Sequence, residues 1–369
     1  MRKIIIILLL LLILPFLVFA RSDAEEDVIF KAEIIEILAE KESVLSDGRV
    51  DLQQHLKMLG LEGDFKDKEF EFNGIGDINV LNKQIYEIGD KVLVIENKAE
   101  DKSNYYIVDY ARLGTLLWLA ALFVLVLLFV GKIKGLRSLL SLFLSFVIII
   151  KFIIPRIITG ANPLLITILG SIAILLVIIY LTEGLKPKAH LAFASIFASL
   201  LLTIIISQIF VNLAKLTGAA SEDILFLFNI GGLSINLQGL LLAGIIIGAL
   251  GVLDDVVIAQ ISTVKEIALA DRELNSKTVF SKAYKVGISH IASMTNTLFL
   301  AYAGVSLPLL ILFVSGESAF VSWTQALNTE LIATEIIRAL TGSISLILSV
   351  PISTYIASRW YCGRKRVLK

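Results

Sequence analysis

Hydrophobic positions along the chain follow two different rules. Between residues 21 and 112, apolar and polar residues alternate in short pieces, "VIFKAEIIEIL", "KEFEFNG", "DKVLVIEN" and "NYYIVDY". That is the period of strands with one face buried. The breaks fall at turn formers, "SDG" (46–48), "NGIGD" (73–77) and "IGD" (88–90), where glycine supplies a positive φ. The pattern predicts a small β-rich, barrel-like domain, in which "VDLQQHLKML" fits either a strand or a helix. From Leu113 the alternation gives way to seven apolar stretches, at 113–130, 136–155, 164–182, 189–210, 236–259, 287–314 and 333–357. Each is near the ~20 residues that a helix needs to cross ~30 Å of hydrocarbon. The expected architecture is a mainly α membrane protein with a seven-helix transmembrane bundle at 113–358 and a short tail at 359–369.

The first twenty residues, "MRKIIIILLLLLILPFLVFA", join a basic start to an apolar run and a small residue at Ala20. They read as a secretory signal or as an uncleaved anchor, and either would deliver residues 21–112 outside the membrane. Charge supports that orientation. The chain has no net charge, yet residues 21–112 hold 22 acidic against 12 basic residues. With this acidic domain outside, 15 lysines and arginines fall on the inner side, among them Lys132, Lys186, Lys265, Lys285 and Arg364. Only Lys151, Arg156 and Lys215 fall in the outer connections, the asymmetry that the positive-inside rule demands. The one cysteine, Cys362, excludes an intrachain disulfide and any thiol pair.

Polar residues inside the apolar stretches are the candidate chemistry. In "GALGVLDDVVIAQ" (248–260), Asp254 and Asp255 interrupt a run that otherwise suits lipid. Gly244, Gly248, Gly251, Asp255, Ala259 and Ser262 lie within about 80° of one another on a helix, so they share one face. Small residues on one face permit close helix packing, and the pattern expects Asp255 to point into the bundle with Asp254 about 100° away. Two readings stand. The aspartates mark the polar inner end of a helix, or Asp255 binds a proton or cation. The sixth stretch carries His290 at a matching depth, with Asn296 and Thr297 near mid-bilayer, and Gly304 and Pro308 where a helix would bend. In the seventh, Glu335 and Arg338 have i,i+3 spacing and head a stripe through Gly342, Ser345, Ser349 and Ser353. They read as a charge-neutralising pair near the outer end. The connection "STVKEIALADRELNSKTVFSKAYKVG" has helical spacing and mixed charge, and suits a solvated helical loop or a docking surface.

Phosphate-loop, zincin and serine-hydrolase motifs are missing from the sequence, and His55, His190 and His290 fall at different depths or sides. "GIGD" at 74–77 matches a short aspartyl-protease motif but falls in the outer domain, where it reads as a turn. The expectation is a protein that is not an enzyme and uses no cofactor, metal or nucleic-acid partner.

At "GDKVLV", "YYIVDYARLG", "IIIGALGVLDDVVIAQISTVKEI", "TNTLFLAYAG" and "NTELIATEIIRALTGSISLILSVPI" the chain resembles the YibE/F family of bacterial multipass membrane proteins. The resemblance implies a cytoplasmic-membrane location. It places Asp255 and Glu266 on the family's aspartate and inner-loop glutamate, and Asn296 with Thr297 and Glu335 with Arg338 on its other recurrent polar positions. Asp254 is this chain's own addition. The expected function is a secondary transporter or permease component with a cation- or proton-responsive polar site between helices five and six. The alternatives are a membrane assembly or signalling protein whose outer domain binds an envelope partner, and a permease served by a separate ATPase docking near Glu266, so that a protein partner is expected at the outer domain or the inner loop. The lipid bilayer is a partner in all three, and the sequence leaves oligomeric state open.

Overall fold

A computed structural model of the chain describes residues 28–44, 50–75, 85–99, 102–220, 224, 235–271, 273–314 and 322–363. The signal or anchor segment at 1–20, the "SDG" turn and the basic tail beyond Gly363 lie outside the described residues. The chain divides into two compact units, Met1–Phe129 and Val130–Lys369.

In the first unit five strands, β1 (Val28–Val44), β2 (Val50–Gly60), β3 (Glu69–Asn73), β4 (Lys91–Ala99) and β5 (Lys102–Tyr110), form one antiparallel sheet in the order β3-β2-β1-β4-β5. "VDLQQHLKML" is strand, because it pairs with β1 along its whole length. β1 pairs with β4 through Val28–Glu33 and with β2 from Ala32 onward, and its two register shifts bend it between these partners. The sheet curls until its edges, β3 and β5, meet. The expected β-rich domain is thus an antiparallel sheet whose two edge strands approach each other. Alternate residues Phe30, Ala32, Ile34, Leu56, Met58, Val92 and Val94 form its core. Phe30 stacks on Phe65 at 4.0 Å and meets Phe70 at 5.1 Å. Gln54 closes one end: its amide donates to the Tyr86 carbonyl (3.0 Å) and its carbonyl accepts from the Tyr86 N–H (2.8 Å). Gly89 takes the expected positive φ (96°) in the "IGD" turn.

Among the described residues, five helical segments are long and apolar enough to cross a membrane. The first, Leu113–Ile158, comprises α1 (Leu113–Ile148), a π-helical turn (Ile149–Ile153) and α2 (Ile154–Ile158). At 46 residues it would be about 69 Å long if straight, twice the hydrocarbon thickness. It is broken at Lys132, which adopts φ 47°, a left-handed conformation costly for a residue with a Cβ. The others are α3 (Pro163–Glu183), α4 (Pro187–Leu213), α5 (Leu237–Ala270) and the last helix, α9 (Glu330–Gly363). The sixth apolar stretch forms α6 (Ser276–Val305) and α7 (Leu307–Val314), parted at Ser306, between Gly304 and Pro308. It falls outside the five; Ser289, His290, Ser293, Asn296 and Thr297 dilute its apolar character. A short α8 (Trp323–Asn328) precedes α9. The basic connection after the fifth stretch is almost wholly helix, since α5 runs on to Ala270 and α6 begins at Ser276 behind an Asn275 cap.

α5 is central, packing on α3, α4, α6 and α9, and α9 packs on α4, α5 and α6. Buried at these contacts are serine and threonine stripes, Ser195, Ser199, Thr203 and Ser207 on α4 and Ser345, Ser349 and Ser353 on α9, all fully enclosed. Ser195, Ser199, Thr203 and Ser345 donate to the carbonyl four residues earlier, at 2.8–2.9 Å, so these hydroxyls are satisfied within their own helix. Small residues then let backbones approach where larger side chains could not.

Candidate functional site

The site is built along one side of α5. Its apolar side, Ile246, Leu250, Leu253, Val257, Ile261 and Val264, is buried in the main core. The opposite side carries Gly244, Gly248, Gly251 and Asp255, and all four are exposed. A Cβ added at Gly244 or Gly251 would meet no heavy atom within 4 Å, and at Gly248 only the Tyr302 hydroxyl, at 3.7 Å. These glycines therefore lie on an open face of α5, where the sequence suggested a packed helix contact.

The close helix approach lies elsewhere. A Cβ at Gly287 of α6 would come 2.5 Å from Val350 Cγ1 and 3.0 Å from Gln260 Oε1, and one at Gly170 of α3 would come 2.5 Å from Ile153. Gln260, buried, donates to the Ala283 carbonyl (3.0 Å) and to Thr354 Oγ1 (2.7 Å), tying α5, α6 and α9 together. Beyond this clamp no residue of α6 is fully buried, which leaves the glycine side of α5 uncovered.

The aspartates sit one turn short of Gln260. Asp255 is exposed on the glycine side and interacts electrostatically with His290 of α6, although no ion pair within 4.0 Å joins them. Asp254 is the more enclosed of the two, contrary to the inward Asp255 expected from the helical wheel. Its Oδ1 is buried without a hydrogen-bond partner, and it interacts electrostatically with Asp255 and with Glu183 at the end of α3. Glu183 is held by Lys188 at 2.9 Å. The reversal reflects where the neighbouring helices lie: they pack against Ile246, Leu250, Leu253 and Val257, and no described side chain closes over Gly244 or Gly251. Asn296 and Thr297 are both exposed, Thr297 donating to the Ser293 carbonyl at 3.1 Å. Glu266 is also exposed, 3.5 Å from Lys265.

At the other end of that face, Glu335 and Arg338 form the i,i+3 pair anticipated from their spacing, with Arg338 Nη1 2.9 Å from Glu335 Oε1. Together with Gly244 they line a cavity of about 410 Å³. Tyr302, which reaches over Gly248, interacts electrostatically with both charges. Gly244 and Asp255 are eleven residues apart, so about 16 Å of α5 separates cavity from acid pair.

Three structural residues escaped sequence reading. Gln260 looked only like a membrane boundary. Glu330 accepts from the Thr217 and Gly218 N–H groups (2.7 and 2.6 Å) and from the Thr217 hydroxyl, pinning the end of α4 to the start of α9 across 113 residues. Gly218 must be glycine, with φ 83° and the Leu237 carbonyl where a Cβ would stand. The only local hint was a Thr-Gly turn.

A family model described as YibE/F-like protein matches residues 119–363, which takes in every helix of the site. No curated protein and no solved structure matches the chain. By that match over most of its length, the chain belongs to the YibE/F family of membrane proteins.

Proposed function

We propose that this protein is a secondary transporter or permease component in which the open face of α5 is the polar path and Asp254 and Asp255, with His290 beside them, are its proton- or cation-responsive end. The observation that carries this reading is the open glycine face, which joins a cavity to two carboxylates inside an apolar helix. An acid in such a helix is costly to insert and is typically paired or placed on a water-filled path. Asp254 adds a buried carboxylate oxygen that lacks any hydrogen-bond partner in the described structure.

The same proposal includes seven membrane crossings, with the helix broken at Lys132 supplying two and α6 with α7 supplying one. The β-domain then lies outside a bacterial cytoplasmic membrane and the basic tail inside. Reporter fusions after Gly131, Gly184, Arg272 and Gly363 should all report the inner side; an outer signal at any one removes a crossing.

Proton movement in proteoliposomes tests the function. With wild type, a panel of cations and small anions should yield a solute-dependent proton signal that Asp254→Asn and Asp255→Asn each lose. Absence of a signal from folded wild-type protein across the panel contradicts transport and favours a partner-binding role for the β-domain.

A further inference from the structure

The cavity at the far end of the open α5 face has a chemistry of its own. Its wall is apolar, from Ile153, Ile157, Leu241, Ile247 and their neighbours, and 410 Å³ is within the usual range for small-molecule sites. Four polar side chains face this wall, Thr167 of α3 and Thr334, Glu335 and Arg338 of α9. Thr167 is fully enclosed and Thr334 is 6% exposed, yet neither hydroxyl has a hydrogen-bond partner, and Arg338 Nε–H also lacks one. Unmet hydroxyls also occur singly at Ser171, Ser207, Thr295 and Ser343, but at this cavity three unmet donors from two helices come together.

We propose that this cavity binds a small water-soluble zwitterion with an apolar side chain, of the size and kind of an aliphatic amino acid. Two hydroxyls and the Arg338 Nε–H supply a carboxylate with donors. A carboxylate alone would set two negative groups around one guanidinium, because Glu335 already occupies Arg338 Nη1. An ammonium on the same molecule restores the balance by pairing with the Glu335 carboxylate, and the apolar wall takes the side chain. The inference goes beyond the proton reading and stands whether or not the aspartates couple to a gradient.

Equilibrium titration of the full chain, in nanodiscs free of ethanolamine-headed lipid, provides the test. L-leucine should bind saturably. Isoamylamine, which lacks the carboxylate, and 4-methylpentanoate, which lacks the ammonium, should each bind at least roughly tenfold more weakly, since each forfeits a charged hydrogen-bonded contact. Thr167→Val and Thr334→Val keep shape but remove a donor; each should weaken leucine binding roughly tenfold while leaving the unliganded protein's melting temperature unchanged or higher. No leucine binding by folded protein overturns the proposal, as do analogues that bind as tightly as leucine or a retained lipid that leucine does not displace. Because no gradient is involved, failure here is distinct from failure of the proton-movement assay.

Discussion

The β-domain and the helix bundle both have apolar cores, but the bundle adds buried serines and threonines where the β-domain adds aromatic rings. The β-domain encloses Phe30, Met58, Phe70 and Phe72 and, with Glu96 as an exception, leaves the lysines and glutamates whose burial is described at or near its surface. The bundle encloses Ser199, Thr203, Ser345 and Ser349 and turns Leu165, Leu201, Ile205 and Phe210 outward. Water drives the first arrangement, since burying apolar surface is what holds a small domain together. Lipid removes that driving force, because a leucine is as well placed against an acyl chain as against another helix. What remains is close packing, which small residues allow.

Substitutions sharpen this contrast. The largest loss should come from Phe30→Ala, which removes a ring stacked on Phe65; about 3–5 kcal/mol is expected, read as an early melting transition of the β-domain. Next, Gly287→Val should destabilise the bundle by about 1–3 kcal/mol through overpacking against Val350 and Gln260, measured by unfolding in mixed micelles. Ser199→Ala should stay within about 1 kcal/mol of wild type, whereas Ser199→Leu should be clearly worse although it is more apolar. Equal tolerance of leucine at Ser199 would show that small size is not what the seam requires.

A pH effect belongs to the β-domain. Burial pushes the Tyr86 phenol up from its ordinary 10 to about 12. The folded domain then holds a proton that the unfolded chain releases, so stability is unaffected below pH 10 and falls as pH rises towards 12. Tyr86→Phe should flatten that slope, which chemical denaturation between pH 9 and 12 can follow. The smallest effect is expected at Gly244→Ala and Gly251→Ala. With open space at both positions, stability should be unchanged or higher by about 0.5–1 kcal/mol from helix propensity. A marked loss would show that these glycines pack against something after all.

Legibility in the sequence divides along the same line. Alternation around "KEFEFNG" and "DKVLVIEN" carried the strands directly, because in water one face must be apolar, and pairing along β1 settled the one ambiguous strand. In the membrane part, apolar length located the helices, but hydrophobicity could not say which side of α5 is inside. The helical wheel grouped Gly244, Gly248, Gly251 and Asp255 correctly on one face; that this face is open depends on where α6 leans, which is set by Gln260, Ala283 and Thr354 from three helices. The Glu335–Arg338 pair was legible because it is local to one helix turn. The Glu330 clamp and the unmet hydroxyl of Thr167 were not, since their significance comes from residues far away in the chain.

Thiol accessibility along α5 tests the central claim most directly. In a Cys362→Ala background, single cysteines at Gly248, Gly251 and Asp255, with Ser199 and Ser349 as buried controls, would be exposed in membranes to a charged, membrane-impermeant thiol reagent. An open polar path predicts labelling at the three α5 positions and none at the two controls. If the α5 positions are as unreactive as the controls, the face is closed to water, and the account of Asp254 and Asp255 as the end of a transport path would fall.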